Sequence, residues 1–399
     1  MSSMLPSLPF SLDDVREARA AVNAGVVGGL AQTADRYALW SELLLRFGVR
    51  YPIDPVQITQ VPIDPYLELS ASDAHQLFPA AVPPDDARVE ARDQLLDSPD
   101  HRPLWLPRNL RVEGPDPALV REDFSFRSPH RGRTREFQAQ LEALSENATV
   151  HGRMYRVRGA TPRRAIVIAH GFMAGSLDAI GVLARSEFMA PRDLAVVAIE
   201  LPHHVKRTAP GRFSGELFMS GDVVRTFEAI LQAVADLRAT VRWLREGRGI
   251  EWVGLVGGSL GGYLSTLTAT FEKDLDLLFA IAPPIRLTDN IGKVPLGRYM
   301  ESGLRAQAIP DDVLARLQDL VDPARYRPAL STSRMRFIAG RNDLFVPVGH
   351  MEGLARHWPG IEIDWHGWGH MTAFMAWPPS RLFPEIARLI DASADAPPV

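Results

Sequence analysis

Cysteine is absent from the 399-residue chain, which excludes disulfides, thiolate metal sites and a cysteine nucleophile. Lysine is scarce, with Lys206, Lys273 and Lys293 the only three, and arginine carries almost all the positive charge. Neither sign of charge dominates. A formal net charge of −4 gives no reason to expect nucleic acid or an anionic membrane as a partner. Long hydrophobic runs are missing too. The longest weakly apolar stretch, Ala20–Ala31, is too short and too rich in glycine to span a bilayer. Residues 1–12 carry no basic segment followed by an apolar one, so no secretory signal is expected and a cytoplasmic protein is. What is present, 46% hydrophobic and 23% charged residues, is the composition of a globular protein with an ample core.

The most informative stretch is Val253-Gly254-Leu255-Val256-Gly257-Gly258-Ser259-Leu260-Gly261-Gly262-Tyr263. A short apolar run ends in Gly-x-Ser-x-Gly and leads into a helical pattern over Tyr263–Phe271. That is the strand–turn–helix context of a nucleophile elbow. It predicts a strained Ser259 projecting its hydroxyl from the strand end. Gly257 and Gly261 should sit where a Cβ would strike neighbouring backbone.

Along the chain, residues 11–47 carry two apolar sets at helical spacing, one from Leu12 to Val22 and one from Tyr37 to Phe47, with Gly28-Gly29 between them. From Gly48 to Pro117 prolines recur too often for long helices or central strands. This predicts an irregular, packed arm with a short helix near Asp85–Asp97. Strands are predicted at Glu122–Arg127 and Ala148–Val157, with a helical stretch near Arg135–Ser145 between them. Strict alternation follows. Strands at Ala165–Ala169, Leu194–Glu200, Trp252–Gly257, Leu275–Ala282, Met335–Ala339 and Ile361–Trp365 are separated by helices, including Leu177–Met189 and Asp222–Arg245. Arg381–Asp391 closes the pattern as a helix. Alternation of this kind predicts an α/β, doubly wound and mostly parallel sheet, whose ligands bind beyond the carboxyl ends of the strands.

Four such ends carry reactive groups: His170-Gly171-Phe172, Ser259, Gly340-Arg341-Asn342-Asp343 and His366-Gly367-Trp368-Gly369-His370. A serine hydroxyl needs a base in hydrogen-bond reach. His370 would be that base and later the acid for the leaving group. Asp343 would accept from the other ring nitrogen and fix the tautomer. Backbone N–H groups of Leu260 and Phe172 would hold the oxyanion. No cofactor is needed.

The four motifs, in the order Ser…Asp…His, resemble the α/β-hydrolase superfamily over about residues 120–395. The resemblance implies an N-terminal extension over 1–120, a catalytic domain over 121–399 and a lid over the insertion 285–334. Arg286, Tyr299, Met300, Leu304 and Tyr326 are candidates to line a pocket under that lid. One stretch departs from the pattern. Where many relatives carry Asp-x-x-Gly-x-Gly, this chain has Glu200-Leu201-Pro202-His203-His204-Val205-Lys206-Arg207. His203, His204 and Arg207 are therefore expected either to contact a polar or anionic substrate group, or to form a solvent-facing loop or a bond to the N-terminal arm. No carboxylate lies at ligand spacing for a zinc site. His366 competes with His370 as base, and Asp289 with Asp343 as acid. Trp365, Trp368 and Trp377 are expected in the core.

The expected activity is cleavage of a small-molecule carboxylic ester through an acyl-enzyme. Amide, peptide or C–C bond hydrolysis and acyl transfer are alternatives for the same residues. A non-catalytic binding protein that keeps the fold is the rival from another class. The apolar content of the extension is expected either to cover the site or to join two copies as a homodimer.

Overall fold

In the computed structural model, the described residues are 35, 61–92, 116–177, 184–290, 301, 303–376 and 379–394. Nine strands among them form one sheet: β1 (Arg88–Arg92), β2 (Leu119–Arg127), β3 (Thr149–Val157), β4 (Arg164–Ala169), β5 (Leu194–Ile199), β6 (Trp252–Gly258), β7 (Leu277–Ile281), β8 (Met335–Gly340) and β9 (Glu362–His366). The longer helices are α1 (Arg135–Ala143), α2 (Val223–Arg242), α3 (Leu260–Phe271), α4 (Asp311–Leu320), α5 (Val348–His357), α6 (His370–Ala376) and α7 (Pro379–Ala394).

Strand order is β1-β2-β3-β5-β4-β6-β7-β8-β9. The pairs β1–β2, β2–β3 and β3–β5 are antiparallel, and every pair from β5 to β9 is parallel. The central strands are apolar on both faces because both faces are covered. Ala165, Val167 and Ala169 of β4 join Ala195, Val197, Ile199, Val253 and Leu255 in one core, covered by α2 and α3. Ile166 joins Leu194, Val196, Ala198 and Val256 in the other, covered by Phe383, Ile386, Ala387 and Ile390 of α7. The period of two in the sequence thus becomes two cores.

Helix α2 is buried nearly all round, so its polar side chains need partners inside the protein. Asp222 caps its start, accepting from Arg225 N at 3.0 Å. Glu228 accepts from the Tyr66 hydroxyl at 2.5 Å and from Arg133 N at 2.9 Å. Arg238 bonds Glu272 and the carbonyls of Phe78 and Pro79. Phe78 stacks on Phe271, ring centroids 4.1 Å apart. Residues 61–79 therefore pack onto α2 and α3 and share their core.

Two expectations change here. Residues 88–92 form strand β1, not part of a helix over Asp85–Asp97, pairing from Arg88↔Ser125 to Arg92↔Arg121. The free edge of β2 offers a full set of backbone partners, and this tertiary gain overrides the local preference. The sheet accordingly reaches back across the boundary expected at residue 120. The described residues of the insertion after β7 pack sideways: Leu304, Leu314 and Leu317 meet Val223 and Phe227 of α2 across a small apolar cavity. Arg286 bonds Asp289, Asp319 and Asp322. The Tyr326 hydroxyl donates to Leu320 O, and its ring meets Phe271. None of these contacts reaches Ser259; Tyr299 and Met300 lie outside the described residues. So do residues 11–47 apart from Asp35, together with Trp377. No helix among the described residues is long and apolar enough to cross a membrane.

Candidate active site

The sheet reverses its winding at β4, which lies between β5 and β6, and that switch point is where an open parallel sheet leaves a crevice. Ser259 stands at the end of β6 as the single residue between strand and helix α3, with φ 51° and ψ −123°. A non-glycine residue there stores roughly 1–3 kcal/mol of strain. Its surroundings hold it: Ser259 N donates to Ile281 O at 2.9 Å and Ser259 O accepts from Tyr263 N at 3.0 Å. The flanking glycines are required by contact. A Cβ on Gly257 would lie 2.3 Å from Gly261 O, and one on Gly261 would lie 2.1 Å from Ala169 O.

His370 begins α6 just after β9, and its Nε2 lies 2.8 Å from Ser259 Oγ. Its Nδ1 lies 2.8 Å from an Asp343 carboxylate oxygen. The second Asp343 oxygen accepts from Phe345 N at 2.7 Å and Val346 N at 2.8 Å, which fixes the carboxylate in the turn after β8. The three side chains expected from the sequence thus form one hydrogen-bonded line. Burial disfavours the charged imidazole, yet the Asp343 charge, its hydrogen bond and the Asp35 charge outweigh this, and the His370 pKa is raised. His366 is elsewhere: it stacks on Trp368 at 3.9 Å and pairs with Asp364. Asp289 pairs with His350 and Arg286. Neither competitor touches Ser259. Trp365 and Trp368 are only partly buried, under Arg341 and Arg381 respectively.

The loop after β4 passes directly beside the serine, since a Cβ on Gly171 would stand 3.7 Å from Ser259 Cβ. Among the described residues, the backbone N–H groups of Phe172 and Leu260 have no acceptor. His170 ties this loop down. Its Nδ1 donates to Gly171 O at 2.8 Å, and its Nε2 accepts from Leu201 N at 3.0 Å. Burial pushes its pKa down to about 4, leaving a neutral ring.

No family model matches the chain. The chain is 28% identical over 254 residues to Uncharacterized protein Rv2627c of Mycobacterium tuberculosis, a match covering 62% of this chain. It spans 60% of that curated relative's length. Among solved structures, an acetyl xylan esterase from Paenibacillus sp. R4 superposes with a TM-score of 0.51 at 13% identity, covering 81% of this chain and 99% of the other. Acetyl xylan esterase 1 from Thermoanaerobacterium sp. JW/SL YS485 gives a TM-score of 0.50 at 13% identity, covering 85% and 98%. The chain has the α/β-hydrolase fold.

Within the α/β-hydrolase frame, the departing loop after β5 is a correction to the sequence reading. His203, His204 and Arg207 do not form a cationic rim or a solvated loop; all three are buried. Arg207 bonds Asp236 at 2.8 Å, Glu200 O at 2.8 Å and Asn147 O at 2.9 Å, so its charge is matched inside the protein. His203 N donates to Asn147 Oδ1, and His204 Nδ1 donates to Pro202 O. Burial pushes the His203 pKa down to about 3 and that of His204 well below its ordinary value. The physical reason is polar pairing across the fold: Asp236 on α2 and Asn147 before β3 offer the partners that water would otherwise supply. His204 still touches the site, its ring edge-on to Phe172 at 5.7 Å. Among the described residues there is no group of three or more His, Cys, Asp or Glu that could hold a metal.

One residue of the candidate site carried no signal in the sequence. Asp35 is fully buried and accepts from His370 N at 2.6 Å, Met371 N at 2.6 Å and Leu344 N at 3.4 Å. A lone aspartate in a helical pattern, remote in sequence from both partners, belongs to no motif.

Proposed function

We propose that this chain is a serine hydrolase that cleaves a carboxylic ester through an acyl-enzyme on Ser259. The observation that carries the proposal is the 2.8 Å and 2.8 Å line from Ser259 Oγ through His370 to Asp343. His370 Nε2 takes the hydroxyl proton as Ser259 Oγ attacks the ester carbonyl. The N–H groups of Leu260 and Phe172 receive the developing oxyanion, an interaction worth roughly two to three orders of magnitude in rate per donor. Collapse breaks the bond to the alcohol oxygen, which leaves with the proton held on Nε2. Water then gives a proton to His370 and attacks the acyl carbon; the acid departs and Ser259 regains its proton. Asp343 keeps the other proton on Nδ1 throughout. Two solved structures with the same fold are named acetyl xylan esterases, which makes acetate esters the first substrates to try.

The test is hydrolysis of p-nitrophenyl acetate, a chain-length series and the matching anilides. Ser259→Ala and His370→Ala should each lose several orders of magnitude in kcat, and Asp343→Asn about four. Wild-type turnover by Ser259→Ala would refute the assignment. Anilides cleaved as fast as esters would move the substrate class from ester to amide.

A further inference from the structure

A buried carboxylate is costly unless hydrogen bonds satisfy it, and among the described residues every bond made to Asp35 comes from a segment that carries a reactive residue. One oxygen accepts from His370 N and, at longer range, from Leu344 N, next to Asp343; the other accepts from Met371 N. The first-turn amides of a helix lack partners within the helix, so these bonds fix where α6 begins and hence where the His370 ring stands. We propose that Asp35 is a positioning residue for the hydrolase: it clamps the acid turn to the start of α6, and its charge supports the imidazolium formed during reaction. Asp35 thereby completes the active site from outside the sheet. This inference rests on His370 being the base.

Position and charge both predict a measurable effect. The ring of His370 faces the Ser259 hydroxyl, the Asp343 carboxylate and the rings of Phe345 and Phe374, with Asp35 acting on it through charge. Misplacing a reacting group by about 1 Å can cost roughly a hundredfold in rate. Removing the Asp35 charge lowers the affinity of His370 for its proton.

The experiment compares wild type, Asp35→Asn, Asp35→Glu and Ser259→Ala on p-nitrophenyl acetate across pH. Asp35→Asn should fold, keep its KM, lose about ten- to a hundredfold in kcat, and move the acid limb of its kcat profile to lower pH. Asp35→Glu, which retains the charge, should return that limb toward wild type. An unchanged kcat and limb in folded Asp35→Asn would overturn the inference. A turnover that persists in Ser259→Ala would instead sink the underlying assignment of function. If Asp35→Asn does not fold, amide exchange in the wild-type protein decides. With isotope-labelled histidine, the His370 amide, identified by its loss in His370→Gln, should be strongly protected from solvent. Free exchange of that amide would refute the clamp whatever the variants do.

Discussion

Replacing Arg207 by alanine separates a scaffold from a substrate contact. Arg207 and Asp236 both have fully buried side chains, and the guanidinium also serves the carbonyls of Glu200 and Asn147. Removing it leaves a carboxylate in the interior with the Ser128 hydroxyl as its remaining side-chain donor. Breaking one partner of such a pair costs about 3–5 kcal/mol. Replacing both partners by apolar residues of similar volume is often neutral, though here two carbonyls would still lose a donor, at about 1 kcal/mol each. Urea unfolding should therefore show Arg207→Ala destabilised by about 3–5 kcal/mol, and Arg207→Met combined with Asp236→Leu should recover part of that. KM for a neutral acetate and for a carboxylate-bearing ester should move together, if at all. A stable Arg207→Ala with KM raised tenfold for the anionic ester alone would refute this reasoning and restore a substrate role.

Other outcomes follow from the same geometry. Gly261→Ala would place a methyl group 2.1 Å from Ala169 O, forcing α3 and the end of β4 apart by about 1 Å, and kcat should fall by roughly a hundredfold or the chain should fail to fold; wild-type kcat in a folded variant would contradict the packing. In α5 the Cβ of Gly353→Ala would meet only the Arg356 guanidinium at 3.7 Å, so unfolding free energy should rise by about 0.4–1 kcal/mol, and a loss would refute that. Burial holds the pKa of His151 and His170 at about 4 and that of His203 at about 3. Below about pH 6.5 the unfolded chain thus binds more protons, and stability should fall as pH drops toward 4. Glu200, pushed up to about 7 by burial, opposes that slope in part, and a urea midpoint that rises on acidification would contradict it. With His370 as the proposed base, its raised pKa should set the acid limb of kcat, so that the rate declines as pH falls through a value above 6.5; a limb below 6.5 would count against the Asp343 contact.

Ser259 was legible because β6 is an apolar run that ends in glycines, and Asp343 and His370 because Gly340 and Gly367 mark the ends of the two strands before them. Local sequence also carried the Gly257 and Gly261 contacts, since only a missing Cβ permits the close approach at Ala169. Strand β1 was not legible: it lies on a sheet edge, and its pairing depends on β2, across residues rich in proline. The burial of His203, His204 and Arg207 was hidden for a related reason. Charged residues in a loop read as solvated until Asp236, on the distant helix α2, is brought beside them. Asp35 shows the limit most clearly, because its partners are backbone amides, and backbone amides leave no trace in side-chain patterns.

Covalent labelling tests the central claim most directly. A fluorophosphonate reagent, followed by intact mass and peptide mapping, should give one adduct per chain on Ser259. The adduct should be absent in Ser259→Ala and form far more slowly in His370→Ala. An adduct that persists in Ser259→Ala, or a wild-type chain that never reacts, would contradict the account.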